Sequence, residues 1–140
     1  MQAPSYEELL AIADDVAKRA YVPYSHFHVG AALLTKDGHV FAGCNVENSS
    51  YGLCNCAERT AVFSAVAAGH REFSAIAIVQ GNAPVDSEGE PCWPCGACRQ
   101  VLVEFNPDMD VIFREGGGYR VTPLRELLPH FFDTHRLKVR

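Results

Sequence analysis

The feature that most constrains the fold is an apolar run at residues 27–35 (FHVGAALLT) that shows no polar alternation. A strand with one solvated face alternates between apolar and polar residues, whereas an unbroken apolar run is typical of a strand buried on both faces. Such a strand needs a layer of structure on each side. The run therefore predicts a buried strand inside a layered fold.

The patterns around this run predict the order of the elements. Ser5 and Glu8 have the spacing of a capping box before an amphipathic helix that ends near Ala20. After the run, a turn at residues 36–38 leads into a second strand, so the two strands form a hairpin. The remaining predicted elements are strand 39–46, loop 48–55, helix 56–68, strand 74–79, loop 81–94, helix 96–105, strand 111–114, a short edge strand at 119–121, and a last helix with Thr122 at the N-cap and Pro123 as its first residue.

This order predicts a three-layer α/β/α sandwich around a five-stranded mixed sheet that is antiparallel at the start and parallel later. A chain of 140 residues is the size of one ordinary domain, and we expect residues 1–140 to form one.

Composition excludes several classes of partner. The formal net charge of −5 argues against a polynucleotide ligand, which would favour a basic excess. The sequence has no apolar run near the roughly 20 residues that a transmembrane helix needs. Its first residues contain neither a basic segment nor a signal-like apolar stretch. We therefore expect a cytoplasmic protein with no membrane partner.

The cysteines indicate a metal site. Five of the six fall into two clusters, and a reducing compartment leaves such thiols free for a metal or for catalysis. Cys56 begins one predicted helix, and Cys95 and Cys98 lie at the start of another. Helix N-termini stabilise thiolates. Three sulfurs from two facing helix starts can bind one Zn²⁺ and leave its fourth position open for water, as catalytic zinc sites do.

Glu58 follows Cys56 by two residues, so its carboxylate can reach the open position without binding the metal. A carboxylate there can take a proton from a zinc-activated water and return it to a substrate. The alternative is an ordinary first-turn glutamate that favours the helix dipole.

The spacing of the cysteines does not decide which of them bind the metal. Two cysteine pairs, 54/56 and 95/98, could form a structural Cys₄ site, although a pair separated by one residue is short for a zinc knuckle. We expect Cys92 to be free in a loop and Cys44 to be a small core residue. A thioredoxin-like role for Cys95 and Cys98 leaves Cys56 and Glu58 unexplained.

Beyond these patterns, the sequence resembles short, homotetrameric cytidine deaminases along nearly its whole length. The segments that carry the resemblance are 24–32, 43–48, Tyr51, 56–61, 94–100 and 126–129. The resemblance implies a cytidine deaminase-like fold, one Zn²⁺ per subunit and active sites shared between subunits. It also implies hydrolytic deamination of cytidine and 2′-deoxycytidine to uridine and 2′-deoxyuridine, with release of ammonia, in pyrimidine salvage.

The resemblance implies a role for each matching residue. Cys56, Cys95 and Cys98 match the zinc ligands, and Glu58 matches the proton shuttle. Asn45 and Glu47 match the pair that hydrogen-bonds a sugar hydroxyl. The remaining substrate-binding matches are Phe27, as an aromatic wall for the pyrimidine, Ala57, and Tyr51 and Phe132, which a neighbouring subunit supplies. Phe27 is alternatively a core residue at the start of a strand, and Phe132 a core or interface residue without ligand contact.

Arg59 has a separate predicted role. Three thiolates leave one uncompensated negative charge on a Zn²⁺ site, which weakens the metal as a Lewis acid. A guanidinium that hydrogen-bonds the cysteine sulfurs would offset this charge. The alternative is a surface arginine in a modest salt bridge.

Three features depart from the family pattern, and substrate range depends on them. They are Trp93, which can reshape the mouth of the pocket, Cys92, and the acidic stretch at 86–90.

Three rival functions stay open. They are deamination of a cytosine-bearing antibiotic or modified nucleoside, a non-enzymatic zinc-stabilised binding module, and, least favoured by the net charge, a polynucleotide editor.

Overall fold

The computed structural model describes residues 3–81 and 91–137, and within them the chain forms a five-stranded mixed sheet with helices on both faces. The sheet order is β2-β1-β3-β4-β5. Its strands are β1 (Val29–Thr35), β2 (Val40–Cys44), β3 (Phe73–Gln80), β4 (Asp110–Glu115) and β5 (Gly118–Pro123). The helices are α1 (Tyr6–Ala17), α2 (Ala57–Ala67), α3 (Gly96–Phe105), α4 (Leu124–Leu127) and α5 (Thr134–Leu137), with a 3₁₀ turn at Tyr51–Leu53.

The predicted three-layer architecture is confirmed, with one refinement of the strand directions. Strand β1 runs antiparallel to both β2 and β3, and β3 runs parallel to β4. The edge strand β5 then pairs antiparallel with β4. The parallel part of the sheet among the described strands is therefore the β3–β4 pair, because the short turn after β4 can only return the chain antiparallel.

The apolar run forms β1, whose seven residues are all buried. Its side chains alternate between two cores, because neighbouring residues of a strand point to opposite faces. Ala31 and Leu33 lie in the core beneath α2 and α3, while Ala32 and Leu34 lie in the core beneath α1. Both faces are apolar, and this explains why the sequence shows no alternation here.

Helix α1 begins with the predicted capping box, in which Ser5 and Glu8 each accept a hydrogen bond from the other's backbone amide. The helix ends at Ala17, earlier than predicted, because the amides of residues 18–20 bond to carbonyls three residues back and tighten the chain into a turn. A Cβ at Gly30 would lie 2.0 Å from the Ala13 carbonyl oxygen. A glycine is required there for α1 to pack on β1.

Helix α2 packs on the opposite face of the sheet, and its backbone comes close to that of β2, as the backbone of α1 does to that of β1. A Cβ at Gly43, in β2, would lie 2.4 Å from the Ala61 nitrogen and 2.5 Å from the Ala57 oxygen. The backbone of β2 therefore sets the position of the first turns of α2. These are the turns that follow Cys56 and contain Glu58.

The predicted cap of the last helix is wrong. Thr122 is a buried residue of β5, which pairs with β4 as far as the Asp110–Pro123 contact, and the helix begins at Leu124. Thr122 and Pro123 carry a cap signal, but strand pairing outweighs it. A proline is tolerated at the end of an edge strand because it needs no ladder donor there.

Two further boundaries differ from the prediction. Strand β1 begins at Val29, two residues after Phe27, and β2 ends at Cys44, while Val46 forms isolated bridges to Tyr21 and Asn55.

The acidic stretch at 86–90 lies outside the described residues. Within residues 3–81 and 91–137, no helix has the length and apolar character to cross a bilayer.

Candidate metal centre and active site

Three cysteine sulfurs meet where two helices begin. Cys56 is the N-cap of α2, Cys95 is the N-cap of α3, and Cys98 lies in the first turn of α3. The Cys56 and Cys95 sulfurs are 3.9 Å apart, the Cys95 and Cys98 sulfurs are 3.5 Å apart, and all three lie within 4.8 Å of one another. The convergence expected from the sequence is present.

The sulfur positions fit a zinc ion. Tetrahedral coordination with Zn–S bonds of about 2.3 Å puts two sulfurs about 3.8 Å apart, close to the distances seen here. Among the described residues, the group consists of three cysteines and no fourth. Cys54 faces elsewhere, because its sulfur accepts from the Asn48 amide at 3.3 Å. The Cys₄ alternative is therefore wrong, and the three-ligand set suits a catalytic zinc site.

The electrostatics of the cluster favour a thiolate at Cys56. Its pKa is lowered to about 5, first by a hydrogen bond from the Cys98 thiol and then by the Arg59 guanidinium. The same hydrogen bond raises the pKa of Cys98, which donates it. Cys92 is free and lies outside the cluster, and burial together with the charge of Glu58 raises its pKa to about 12. Cys92 is therefore an inert thiol at neutral pH.

Arg59 contacts the cluster directly. Its Nη2 donates to the Cys56 sulfur at 3.2 Å, and this contact is the first cause of a raised pKa for Arg59. Its Nε is buried without a hydrogen-bond partner among the described residues. The geometry matches the guanidinium–sulfur contact predicted from the sequence and excludes the alternative of a surface salt bridge.

Glu58 is buried beside the sulfurs, with 5% of its surface exposed. Burial is the main cause of its raised pKa, and the negative charge of Cys56 raises the pKa further. A carboxyl group whose pKa moves toward neutral can both accept and return a proton. Glu58 therefore lies where the sequence predicts a proton shuttle, in surroundings that favour its neutral form.

Asn45 and Glu47 both stabilise the loop that precedes β1. The Asn45 side chain accepts from the Val29 amide at 2.9 Å and donates to the Phe27 carbonyl at 2.7 Å. Glu47 accepts from the Tyr24 and Ser25 amides at 3.0 and 3.1 Å and from the Ser25 hydroxyl, which is the first cause of its lowered pKa. The two side chains link this loop to the segment after β2.

The aromatic candidates are exposed. Phe27 is 43% exposed, Tyr51 is 72% exposed and Phe132 is 55% exposed. The core-residue alternative is therefore wrong for both Phe27 and Phe132. Ala57 has no exposed surface, and its side chain lies in the core beneath α2.

Sequence reasoning missed several supporting contacts. Tyr24 packs edge-to-face against Tyr51 with ring centroids 5.8 Å apart, and Gln100 donates to the Phe132 carbonyl at 2.9 Å. Both residues lie in segments that carry the family resemblance, which was the available signal. Trp93 packs against Phe113 at 4.7 Å and under the Arg120 guanidinium, so its ring is held beside the metal-binding turn.

Comparison with known proteins gives a consistent result. A model of the cytidine and deoxycytidylate deaminase zinc-binding region matches residues 4–115. A cytidine deaminase from Sporosarcina psychrophila is 49% identical over 133 residues, covering 94% of this chain and 93% of that protein. A blasticidin-S deaminase from Bacillus cereus is 32% identical over 124 residues, covering 87% of this chain and 88% of that protein.

The fold is shared as well. The crystal structure of a cytidine deaminase from Burkholderia pseudomallei matches with a TM-score of 0.83 and 53% sequence identity, over 92% of this chain and all of that one. Since the family model covers most of the sequence and the structural match covers nearly all of it, the chain belongs to the cytidine and deoxycytidylate deaminase family and is a zinc-dependent hydrolase that acts on a C–N bond.

Proposed function

We propose that this enzyme hydrolytically deaminates cytidine and 2′-deoxycytidine to uridine and 2′-deoxyuridine, with release of ammonia. The observation that carries the proposal is the convergence of three cysteine sulfurs beside the buried carboxyl group of Glu58. The names of the relatives support the choice of substrate.

The residues of the centre have separate roles. Cys56, Cys95 and Cys98 hold the zinc ion, and Arg59 offsets part of their negative charge. The metal, when bound, supplies a water whose pKa is near neutral. Glu58 takes a proton from the attacking water as the water oxygen bonds to C4 of the cytosine ring, and it delivers this proton to N3. It then takes the proton of the new C4 hydroxyl and delivers it to the amino group, so that the C4–N bond breaks, ammonia leaves and the C4 carbonyl of uracil remains.

Asn45 and Glu47 are proposed to recognise the sugar. Their contacts with the loop leave hydrogen-bonding capacity unused: one N–H of the Asn45 amide and part of the Glu47 carboxylate. A sugar hydroxyl would satisfy both groups, while free cytosine would leave them desolvated and unpaired. Phe27 offers an exposed ring as a wall for the pyrimidine, and Ala57 contributes through its backbone, because its side chain is buried.

The exposed aromatics support a homotetramer with shared active sites. Tyr51 and Phe132 are proposed to enter a neighbour's site, and Phe63 on the outer side of α2 adds a further exposed apolar surface. Contiguous exposed apolar patches mark interfaces, so this proposal requires these side chains to contribute to such patches on the surface. We place this single-domain enzyme in the cytoplasm and in pyrimidine salvage, because its free cysteines suit a reducing compartment. Light scattering on the purified protein tests the subunit count.

The decisive experiment follows ammonia release from cytidine by purified, zinc-loaded protein. Activity is expected to disappear with a zinc chelator and to return when Zn²⁺ is restored. Free cytosine is the matched control and is expected to react poorly. A protein that binds zinc but releases no ammonia from cytidine or deoxycytidine would contradict the proposal.

One relative favours a second candidate substrate. The blasticidin-S deaminase from Bacillus cereus suggests a cytosine-bearing antibiotic, and Trp93 is the departure that could permit it. Comparing kcat/KM on cytidine and on blasticidin S decides between the two, and a preference for the antibiotic would replace the nucleoside proposal.

A further inference from the structure

A second group of metal-binding side chains lies at the opposite end of α2 from Cys56. Asp37 and His39 come from the turn between β1 and β2, and His70 follows the C-terminal end of α2. The Asp37 carboxylate lies 3.2 Å from His39 Nδ1 and 3.7 Å from His70 Nδ1. One ligand atom from each of the three lies within 4.8 Å of the other two.

We propose that Asp37, His39 and His70 bind a divalent transition metal ion such as Zn²⁺, at a site separate from the thiolate centre. Two imidazoles and a carboxylate are a ligand set that suits late first-row metals. Zinc bonds of about 2.0–2.2 Å to nitrogen and oxygen place neighbouring ligand atoms about 3.4 Å apart. The distances from the Asp37 carboxylate to His39 Nδ1 and His70 Nδ1, 3.2 and 3.7 Å, lie on either side of this value.

The ligands are held in place before any ion arrives. The buried Thr35 hydroxyl donates to the Asp37 carboxylate and accepts from the His39 amide at 2.9 Å. The Thr35 amide donates to the His39 carbonyl at 2.8 Å, which closes the turn. Metal-binding carboxylates are commonly oriented by such a partner. Thr35 therefore orients one ligand and fixes the backbone of another.

His70 is positioned independently of the turn. Its amide donates to the Ala65 carbonyl at 2.9 Å, and Gly69 takes the left-handed conformation (φ +95°) that turns the chain toward the hairpin. The His39 and His70 rings lie 4.8 Å apart at an angle of 48°. Two separate elements thus present their imidazoles to the same carboxylate.

The surroundings allow an ion to enter. The group borders a cleft of about 560 Å³ that is also lined by Lys36, Arg71 and Glu72. The exposed Asp37 carboxylate places a negative charge beside both imidazoles. Lys36 and Arg71 would instead favour an anion such as phosphate, which the Asp37 charge opposes.

The test counts metal ions per chain. Zinc-loaded enzyme without a polyhistidine tag is dialysed against micromolar Zn²⁺ at neutral pH, and its metal content is measured by mass spectrometry. Wild type is expected to hold two ions per chain, while His39→Ala and His70→Ala hold one. His130→Asn is the control, because it removes an exposed histidine outside the cluster, and it is expected to keep two.

A second measurement needs no variant. Paramagnetic Ni²⁺ added to enzyme that holds one zinc ion per chain, at the thiolate centre, is expected to broaden the NMR signals of the His39 and His70 rings before those of other histidines. Three results would overturn the proposal: a wild type that holds one zinc ion per chain, a His70→Ala variant that holds two, or His39 and His70 ring signals that respond to inorganic phosphate but not to Ni²⁺.

Turnover of cytidine should not change in His70→Ala, so the test of this site is independent of the proposed function.

Discussion

The guanidinium of Arg59 donates to the sulfur of Cys56 at 3.2 Å, within the same helical turn that carries Glu58. This contact places a positive charge beside a centre whose three thiolates exceed the charge of one Zn²⁺. The same short segment thus supplies a metal ligand, an acid–base group and a balancing charge.

Replacing Arg59 with Gln should keep the zinc ion but lower kcat by about 10- to 100-fold, the usual effect of losing a partner of a metal ligand. The pH at which kcat rises should also shift upward, because the thiolate charge is no longer offset. Arg19→Gln, which removes an exposed arginine in the turn after α1, is the control. Full zinc content together with full turnover in Arg59→Gln would show that the guanidinium plays no part in catalysis.

Replacing Glu58 with Gln should preserve the fold and the zinc content and lower kcat by about 10²- to 10⁴-fold, because the amide cannot carry the proton. Glu104→Gln, at an exposed position of α3, is the control. The measurements are ammonia release and metal content on the same preparation. Substantial residual turnover in Glu58→Gln would remove this residue from the proton-transfer role.

Replacing Asn45 with Ala should lower the free energy of unfolding by about 2 kcal/mol, because two hydrogen bonds to the Phe27–Val29 backbone are lost. Asn48→Ala, which loses one exposed hydrogen bond to the Ser50 amide, should cost about 0.5 kcal/mol. Urea unfolding of the two variants checks the difference. Equal stability losses would mean that Asn45 does not secure this loop.

Replacing Gly43 with Ala should destabilise the protein by about 3 kcal/mol or more, because the new Cβ would overlap the backbone of α2. Zinc content should fall too, since the start of α2 carries Cys56. Gly117→Ala is the control, because a Cβ there would meet nothing within 4 Å. Thermal unfolding and metal analysis report the two effects, and a Gly43→Ala protein with wild-type stability would contradict the close approach.

The ionisation of the Tyr6 hydroxyl is expected to lower the stability of the protein at alkaline pH. Its hydroxyl donates to Asp110 at 2.5 Å, and burial, followed by this hydrogen bond, raises its pKa to about 12. The pKa of Tyr6 in the folded protein exceeds its unfolded value of about 10. The stability that the Tyr6 hydrogen bond contributes is therefore fully present below pH 10 and is lost as the pH rises toward 12. Tyr6→Phe should cost about 1.5 kcal/mol near pH 8 and should remove this alkaline loss.

Urea unfolding at several pH values checks the Tyr6 prediction. Tyr21→Phe, which alters an exposed tyrosine, should leave the alkaline loss in place. A wild-type protein whose stability does not change between about pH 10 and pH 12 would show that the hydrogen bond contributes nothing.

Local patterns were sufficient for much of the fold. The apolar run at 27–35 predicted β1, because a strand covered on both faces leaves no position for a solvated side chain. The Ser5–Glu8 capping box predicted the start of α1, because its two hydrogen bonds span three residues. The cysteines at two predicted helix starts indicated a metal site, but their spacing left the ligand set open, and the family resemblance identified Cys56, Cys95 and Cys98 as the ligands.

Other features depended on contacts between distant residues. Thr122 has the sequence of a helix cap, but pairing with β4 makes it a strand residue. Cys54 has a ligand's spacing, yet the turn beyond β2 directs its sulfur to Asn48. Nothing near His39 in the sequence indicates that His70 will face the same carboxylate.

The sequence by itself determined which segments are buried, where the first three helices start and which residue types are available for a metal and a proton. The tertiary structure decided which of those residues meet. The packing of α2 on β2 at Gly43 settles both ends of that helix, placing Cys56 near Cys95 at one end and His70 near Asp37 at the other. Such distances depend on the packing of whole elements, and no short stretch of sequence encodes them.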